Sequence, residues 1–158
     1  MSTSNKITLT SSDGEKFEIE EAVAREFEIV ANMIEDDCAS RSFSSANVAA
    51  KALGAAIEYS KKHVDAGAVE NNEEAADKLK KWDQDFLADY DNAMIFDLIL
   101  AASANNLNCK GLLEITCKKV ADNIKNLSPE DICRIFHLND FTEEEEAEVR
   151  KESEWAFQ

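Results

Sequence analysis

Ala93-Met94-Ile95-Phe96-Asp97-Leu98-Ile99-Leu100-Ala101-Ala102 decides how the rest of the chain is read. A run this apolar, preceded by Asp91 and interrupted only by Asp97, predicts a helix buried on most of its sides, the hub of a core. It is no membrane span. The longest apolar stretch, Ile95 to Ala104, is broken by Asp97 and Ser103 and falls well short of the ~20 residues a bilayer requires. On its N-terminal side Trp82, Phe86 and Tyr90 recur every fourth residue, and beyond its C-terminal end come Leu113, Cys117, Val120 and Ile124. Such spacings mark one face of a helix. Farther upstream, Ala49, Leu53, Ala56, Ile57, Ser60 and Val64 form another stripe, with Asn47 placed to cap it. Val23, Phe27, Val30 and Ile34 form one more, ending in the acidic Glu35-Asp36-Asp37.

Near the N-terminus the period changes from helical to alternating. Lys6-Ile7-Thr8-Leu9-Thr10 and Lys16-Phe17-Glu18-Ile19-Glu20 flank Ser11-Ser12-Asp13-Gly14-Glu15, whose Asp-Gly supplies turn chemistry. The pattern predicts a β-hairpin with Ile7, Leu9, Phe17 and Ile19 on its inner face. Residues 38–46 are polar and small around Phe43 and fit a short strand or a loop. From Asp65 to Lys81 almost nothing apolar is available to bury, so 65–81 reads as a mobile acidic linker with at most a frayed helical end. Two helix starts come next. Ser128-Pro129-Glu130-Asp131 places a capping serine, a first-turn proline and an acid in order. Thr142-Glu143-Glu144-Glu145 repeats the capping logic and sets carboxylates at the positive end of the helix dipole. The last two helices carry few apolar residues, among them Ile132, Phe136, Val149 and Trp155. These either close the core or offer an apolar groove to a partner helix, and pattern alone leaves the two readings level.

Composition bounds the answer further. A chain of 158 residues with 44% hydrophobic residues buries roughly 70% of its unfolded surface without help from metal or disulfide. Four glycines and one proline leave little for β-turns, so the expected class is α+β and mostly helical. Lys and Arg number 17 against 33 Asp and Glu, a net charge of −16, which repels nucleic-acid backbones and anionic membranes. No cationic and apolar leader opens the sequence, and the four cysteines, at 38, 109, 117 and 133, form no C-x-x-C pair. Free thiols and an intracellular location, cytoplasm or nucleus, are the expectation.

Chemistry is hard to find. His63 and His137 lie far apart with no metal-ligand spacing around either. The glycines at 14, 54, 67 and 111 are isolated, so no phosphate loop or nucleophile elbow is present. Asp83-Gln84-Asp85-Phe86-Leu87-Ala88-Asp89-Tyr90-Asp91 alternates carboxylates like a calcium loop, yet Ala88 stands where an EF-hand needs glycine and Met94 where it needs glutamate. The interleaved Trp82, Phe86 and Tyr90 make those acids the wet face of a helix. No enzyme, no metal and no cofactor are expected; an acidic calcium-binding protein is the alternative of another class.

Several strings, taken in order, resemble the Skp-type adaptors (the S-phase kinase-associated protein family) of SCF ubiquitin ligases. They include Leu9-Thr10-Ser11-Ser12-Asp13-Gly14-Glu15, Ile34-Glu35-Asp36-Asp37-Cys38, Trp82-Asp83-Gln84-Asp85-Phe86 and Phe96-Asp97-Leu98-Ile99-Leu100-Ala101-Ala102. Lys110-Gly111-Leu112-Leu113, Ser128-Pro129-Glu130-Asp131-Ile132 and Asn139-Asp140-Phe141-Thr142-Glu143 continue the series, and Trp155-Ala156-Phe157 is similar to plant members. The resemblance implies a BTB/POZ-like domain over 1–64 and 82–124, interrupted by the acidic insertion 65–81. It implies F-box-binding helices over 110–158, sharing the 110–124 helix. On that basis the groove reading of the terminal helices is preferred. The F-box anchors would be Leu113, Cys117, Val120, Ile124, Ile132, Phe136, Val149 and Trp155, with Trp155 worth about 2 kcal/mol or more on truncation. The partners would be an F-box protein and a cullin, in a heterodimer or larger complex, and the adaptor itself would do no chemistry.

Two departures from the family pattern bear on the cullin side. Ser44-Ser45-Ala46-Asn47-Val48 replaces a Pro-Leu-Pro-Asn-Val strand. Ala101-Ala102-Ser103-Ala104-Asn105-Asn106-Leu107 is two residues longer than Ala-Ala-Asn-Tyr-Leu, with Asn106 in place of the aromatic residue that belongs to the family's cullin contact. Two added helical residues would rotate the downstream chain by about 200°, so a bulge or loop is expected there. Asn105 and Asn106 are the candidate cullin-binding residues. The expectation is that F-box binding is kept and cullin binding weakened; a paralogue that binds F-box proteins but has lost cullin is the alternative within the family.

Overall fold

The computed structural model describes residues 6–36, 41–67, 73–137 and 142–152, and the chain divides into two compact units, Met1–Asp122 and Asn123–Gln158. In the first unit, β1 (Lys6–Thr10) and β2 (Lys16–Glu20) form the expected antiparallel hairpin, with Ile7 opposite Ile19 and Leu9 opposite Phe17. Ile7, Leu9 and Ile19 are buried, whereas Phe17 is half-buried against Gly54. A short third strand, β3 (Ser42–Ser44), pairs parallel to β1, giving the order β2-β1-β3. Of the strand-or-loop options for 38–46, a strand is therefore formed at 42–44, and 38–40 lie outside the described residues.

The stripe from Val23 to Ile34 is not one helix. It is split into α1 (Glu21–Ala24) and α2 (Glu28–Glu35), with Phe27 extended between them. Phe27 is fully buried, and tertiary burial at this position outweighs the helical period of the local sequence. α3 (Ala50–Gly67) then buries Leu53, Ala56, Ile57, Tyr59 and Ser60. In its first turn the Ala50 N–H donates to Asp13 Oδ1 at 2.9 Å, and the helix begins at Ala50, three residues past the expected cap Asn47. The Ser11 hydroxyl and two further backbone bonds hold the Asp13 carboxyl below the usual carboxylate range.

The segment 65–81 is not the expected linker. α3 runs on to Gly67 and α4 (Glu73–Ala88) begins at Glu73, leaving only 68–72 outside the described residues. Glu, Ala and Lys are strong helix formers, and Glu74 pairs with Lys78 one turn on. α4 is fastened to α3 by an aromatic ladder: Trp82 stacks on Phe86 at 4.9 Å, Tyr90 meets Phe86 edge-on at 5.3 Å, and Tyr59 of α3 lies 6.3 Å from Phe86. His63 completes the joint, with Nε2 2.7 Å from Asp83 Oδ1 and its ring 4.1 Å from Tyr59. His63 is thus a structural contact.

α5 (Asn92–Ala102) starts as its sequence predicts, with Asp91 Oδ1 accepting from the Met94 N–H at 2.9 Å. Met94, Ile95, Leu98, Ala101 and Ala102 are buried, and α5 packs chiefly on α3. One side stays open, however: Leu100 is 60% exposed. α6 (Lys110–Ile124) follows, and the division between units falls near its end. In the second unit, α7 (Pro129–Ile135) is capped by Ser128 and α8 (Glu143–Glu152) by Thr142, both as expected.

Candidate partner-binding surfaces

The exposed side of α5 leads into the first candidate surface. Asp97 and Leu100, three residues apart, share a helix face, and both are exposed. The helix stops at Ala102, and the two additional residues are absorbed in a turn over 103–107 without rotating the helix. The Ser103 hydroxyl and the Asn106 side-chain amide each donate to the Leu100 carbonyl at 2.7 Å, which also accepts from the Ser103 backbone N–H at 3.3 Å. Backbone bonds from Leu107 to Ala101, Asn108 to Ser103 and Cys109 to Ala102 fold the turn back on α5. Leu107 is fully buried beneath it, Asn106 is half-buried and Asn105 is exposed. An apolar Leu100 therefore stands at the helix end, next to the turn that carries the two asparagines. Sequence reading missed Leu100 by assigning it to the buried hub; the polar Asp97 on the same face was the available signal.

α6 supplies a second candidate face. Its deeply buried side is Leu112 and Thr116, the Thr116 hydroxyl donating to the Leu112 carbonyl at 2.7 Å. Of the predicted anchors, Leu113 and Cys117 lie one position round from that side, the first half-buried against the core and the second exposed, whereas Val120 continues the Leu112–Thr116 line and is half-buried against the core. The stripe thus runs along the edge of the core-facing side, with Cys117 open to solvent. Gly111 opens α6 close under the Tyr59 hydroxyl; a Cβ there would stand 2.7 Å from that oxygen.

In the second unit the candidate anchors are more exposed. Ile124 and Ile132 are half-buried, Phe136 is 37% exposed and Val149 45%. Among the described residues of this unit no hydrophobic side chain is buried. Its helices are held by local devices instead: Ser128 caps Asp131, Arg134 pairs with Asp131 at 2.8 Å, and Thr142 exchanges bonds with Glu145 in a capping box. The backbone and hydroxyl of Thr142 hold the Glu145 carboxyl below its usual range. Trp155 lies outside the described residues.

Reactive chemistry has little to build on. Burial pushes the Cys109 thiol and the Tyr59 phenol up, which keeps both protonated. Among the described residues no group of three or more His, Cys, Asp or Glu side chains is arranged to hold a metal. Most of the supposed calcium run, Asp83 through Ala88, is the end of α4 and not a loop. Among the described residues no helix is long and apolar enough to cross a membrane.

Comparison with known proteins places these surfaces in context. Residues 5–65 match the model described as the Skp1 family tetramerisation domain, and residues 110–156 the model described as the Skp1 family dimerisation domain. SKP1-like protein 14 of Arabidopsis thaliana is 51% identical, covering 98% of this chain and 99% of its own. SKP1-like protein 1A of the same plant is 52% identical over 97% and 98% of the two chains. From rice, Oryza sativa subsp. japonica, SKP1-like protein 1 is 50% identical over 96% and 95%.

Proposed function

The chain belongs to the Skp1 family and is the adaptor subunit of an SCF E3 ubiquitin ligase, with F-box proteins and a cullin as its partners; from that premise we propose which surface meets which partner. The F-box motif of a substrate receptor docks on 110–158, through Leu113, Cys117, Val120, Ile124, Ile132, Phe136, Val149 and Trp155. Residues up to 124, α4 included, act as the BTB/POZ-like body, and the cullin meets the turn after α5 at Asn105 and Asn106. The observation that carries the F-box assignment is the second unit's lack of any buried apolar side chain among its described residues, while Ile132, Phe136 and Val149 stay accessible. Helices with apolar residues and no core of their own gain stability by burying them against a partner.

Leu100 supports the cullin assignment. An exposed leucine at the end of α5, next to the Asn105–Asn106 turn, is an apolar side chain open to a partner on the same surface. Nothing favours the reading of a paralogue that has lost cullin, or that of a calcium-binding protein. The adaptor performs no chemistry; it positions a receptor-held substrate near a ubiquitin-charged enzyme. The free thiols of Cys109, Cys117 and Cys133 fit work in the cytoplasm and nucleus, where thiols stay reduced.

Size-exclusion chromatography with light scattering tests the scheme. The chain mixed with an F-box protein should elute as a 1:1 complex and take up cullin into a ternary peak. A binary peak that never takes up cullin would remove the assignment of Leu100, Asn105 and Asn106. Separate elution from two unrelated F-box proteins would remove the groove.

A further inference from the structure

The turn after α5 is fastened at both ends, and its second fastening comes from a distant part of the sequence. Glu28 opens α2. Its carboxylate accepts from the Asn108 side-chain amide at 2.8 Å and lies 3.3 Å from Lys110 Nζ. The Glu28 backbone N–H reaches the Asn108 carbonyl at 3.4 Å. Asn108 itself has a left-handed backbone, with φ at 51°. Asparagine tolerates that conformation better than most residues, but it persists only where the surroundings hold it. The surroundings here are Glu28 on one side and the Asn108 N–H to Ser103 carbonyl bond, at 2.9 Å, on the other.

Between its fastenings the turn is polar: Ser103, Asn105, Asn106 and Asn108, with Leu107 as its one buried apolar residue. A polar turn held mainly by hydrogen bonds keeps a single shape only if both ends are pinned, and a pinned surface loses less entropy on binding.

We propose that Glu28 and Asn108 form a latch that holds the cullin-facing turn in its binding shape, so that Glu28 is a positioning residue for cullin recruitment and acts through Asn108. The inference rests on the assignment of cullin to Leu100, Asn105 and Asn106.

Titration calorimetry of cullin into the chain's complex with an F-box protein tests it. E28A and N108G should each weaken cullin binding roughly threefold to tenfold, the range expected for one lost hydrogen bond, with F-box affinity unchanged. N108G accepts the left-handed backbone without strain while removing the amide, so it carries the test even where E28A folds poorly. E28Q, whose amide oxygen still accepts from Asn108, should stay near the parent protein. E28A combined with N106A should lose less than the product of the separate losses, because both act through one turn. Parent-like cullin binding by both E28A and N108G overturns the latch alone. So does an E28Q loss as large as that of E28A, which would make the effect one of charge. A parent protein that takes up no cullin overturns the cullin assignment and the latch together.

Discussion

The two units of this chain solve the problem of stability in opposite ways. In the first, Phe27, Ile7, Leu9, Leu53, Ile95, Leu98 and Leu107 are almost wholly removed from water, and burial at about 1.5–3 kcal/mol per large side chain dominates. In the second, order comes from caps, a first-turn proline and a neighbouring ion pair, each a local device of modest size. Helices as short as α7 and α8, of 7 and 10 residues, are marginal without tertiary support. The lesson is functional. The contrast agrees with the proposed function: among the described residues the second unit leaves Ile132, Phe136 and Val149 open to a partner, while the first spends its large apolar side chains on its own core.

The sharpest way to break this contrast is to remove a core side chain from the first unit. Phe27→Ala should cost about 3–5 kcal/mol, read as a lower urea midpoint for the cooperative unfolding of the chain. The corresponding change in the second unit should behave differently. Phe136→Ala should leave the melting temperature within a degree or so of the parent while weakening F-box binding by about 2 kcal/mol or more, and Trp155→Ala should weaken F-box binding by a similar amount. A fall in melting temperature without loss of F-box affinity would show that Phe136 serves the fold.

A single methyl group sharpens the comparison next. Gly111→Ala would bring a Cβ to 2.7 Å from the Tyr59 hydroxyl, and Tyr59 is buried and cannot swing away. Overpacking of about 1–3 kcal/mol outweighs a helix-propensity gain of at most about 1 kcal/mol. Tyr59→Phe in the same molecule should relieve the clash; denaturation of the double variant checks the cause. The smallest effect is confined to α8. Glu145 has its folded pKa below the ordinary 4.5, so its contribution is present above that value and is lost as pH falls through the folded one. Carbon chemical shifts of α8 should report fraying on acidification, and Thr142→Ala should return the Glu145 titration to its ordinary position.

Much of this was legible in the sequence, for reasons that differ by element. The hairpin, the caps at Asp91, Ser128 and Thr142 and the α5 hub rest on local rules, and local rules travel with the residues. The failures share a cause in long-range contact. Nothing near Arg25 announces the break between α1 and α2, because it is the burial of Phe27 that imposes it. The acidic 73–81 stretch is a helix because Trp82, Phe86 and Asp83 further along α4 dock on α3 through Tyr59 and His63. Of the candidate sites, the F-box anchors and the asparagine turn follow from the resemblance and Leu100 is signalled only by Asp97 on its face, whereas the Glu28–Asn108 pairing joins residues 80 apart and leaves no local trace.

The bond between Asp13 and the first turn of α3 has a consequence for the order in which the chain folds. Asp13 sits 37 residues before the Ala50 N–H that it accepts from, and it is delivered by the hairpin turn. Nucleating a helix is its costly step, and here the group that satisfies the first turn arrives only once the hairpin exists and the intervening loop has closed. Hairpins form in about 1–10 μs, and β1 and β2 leave the ribosome before α3 does. The time order of synthesis and the time order of assembly therefore coincide, with the N-terminal hairpin serving as the template on which the longest helix of the first unit begins.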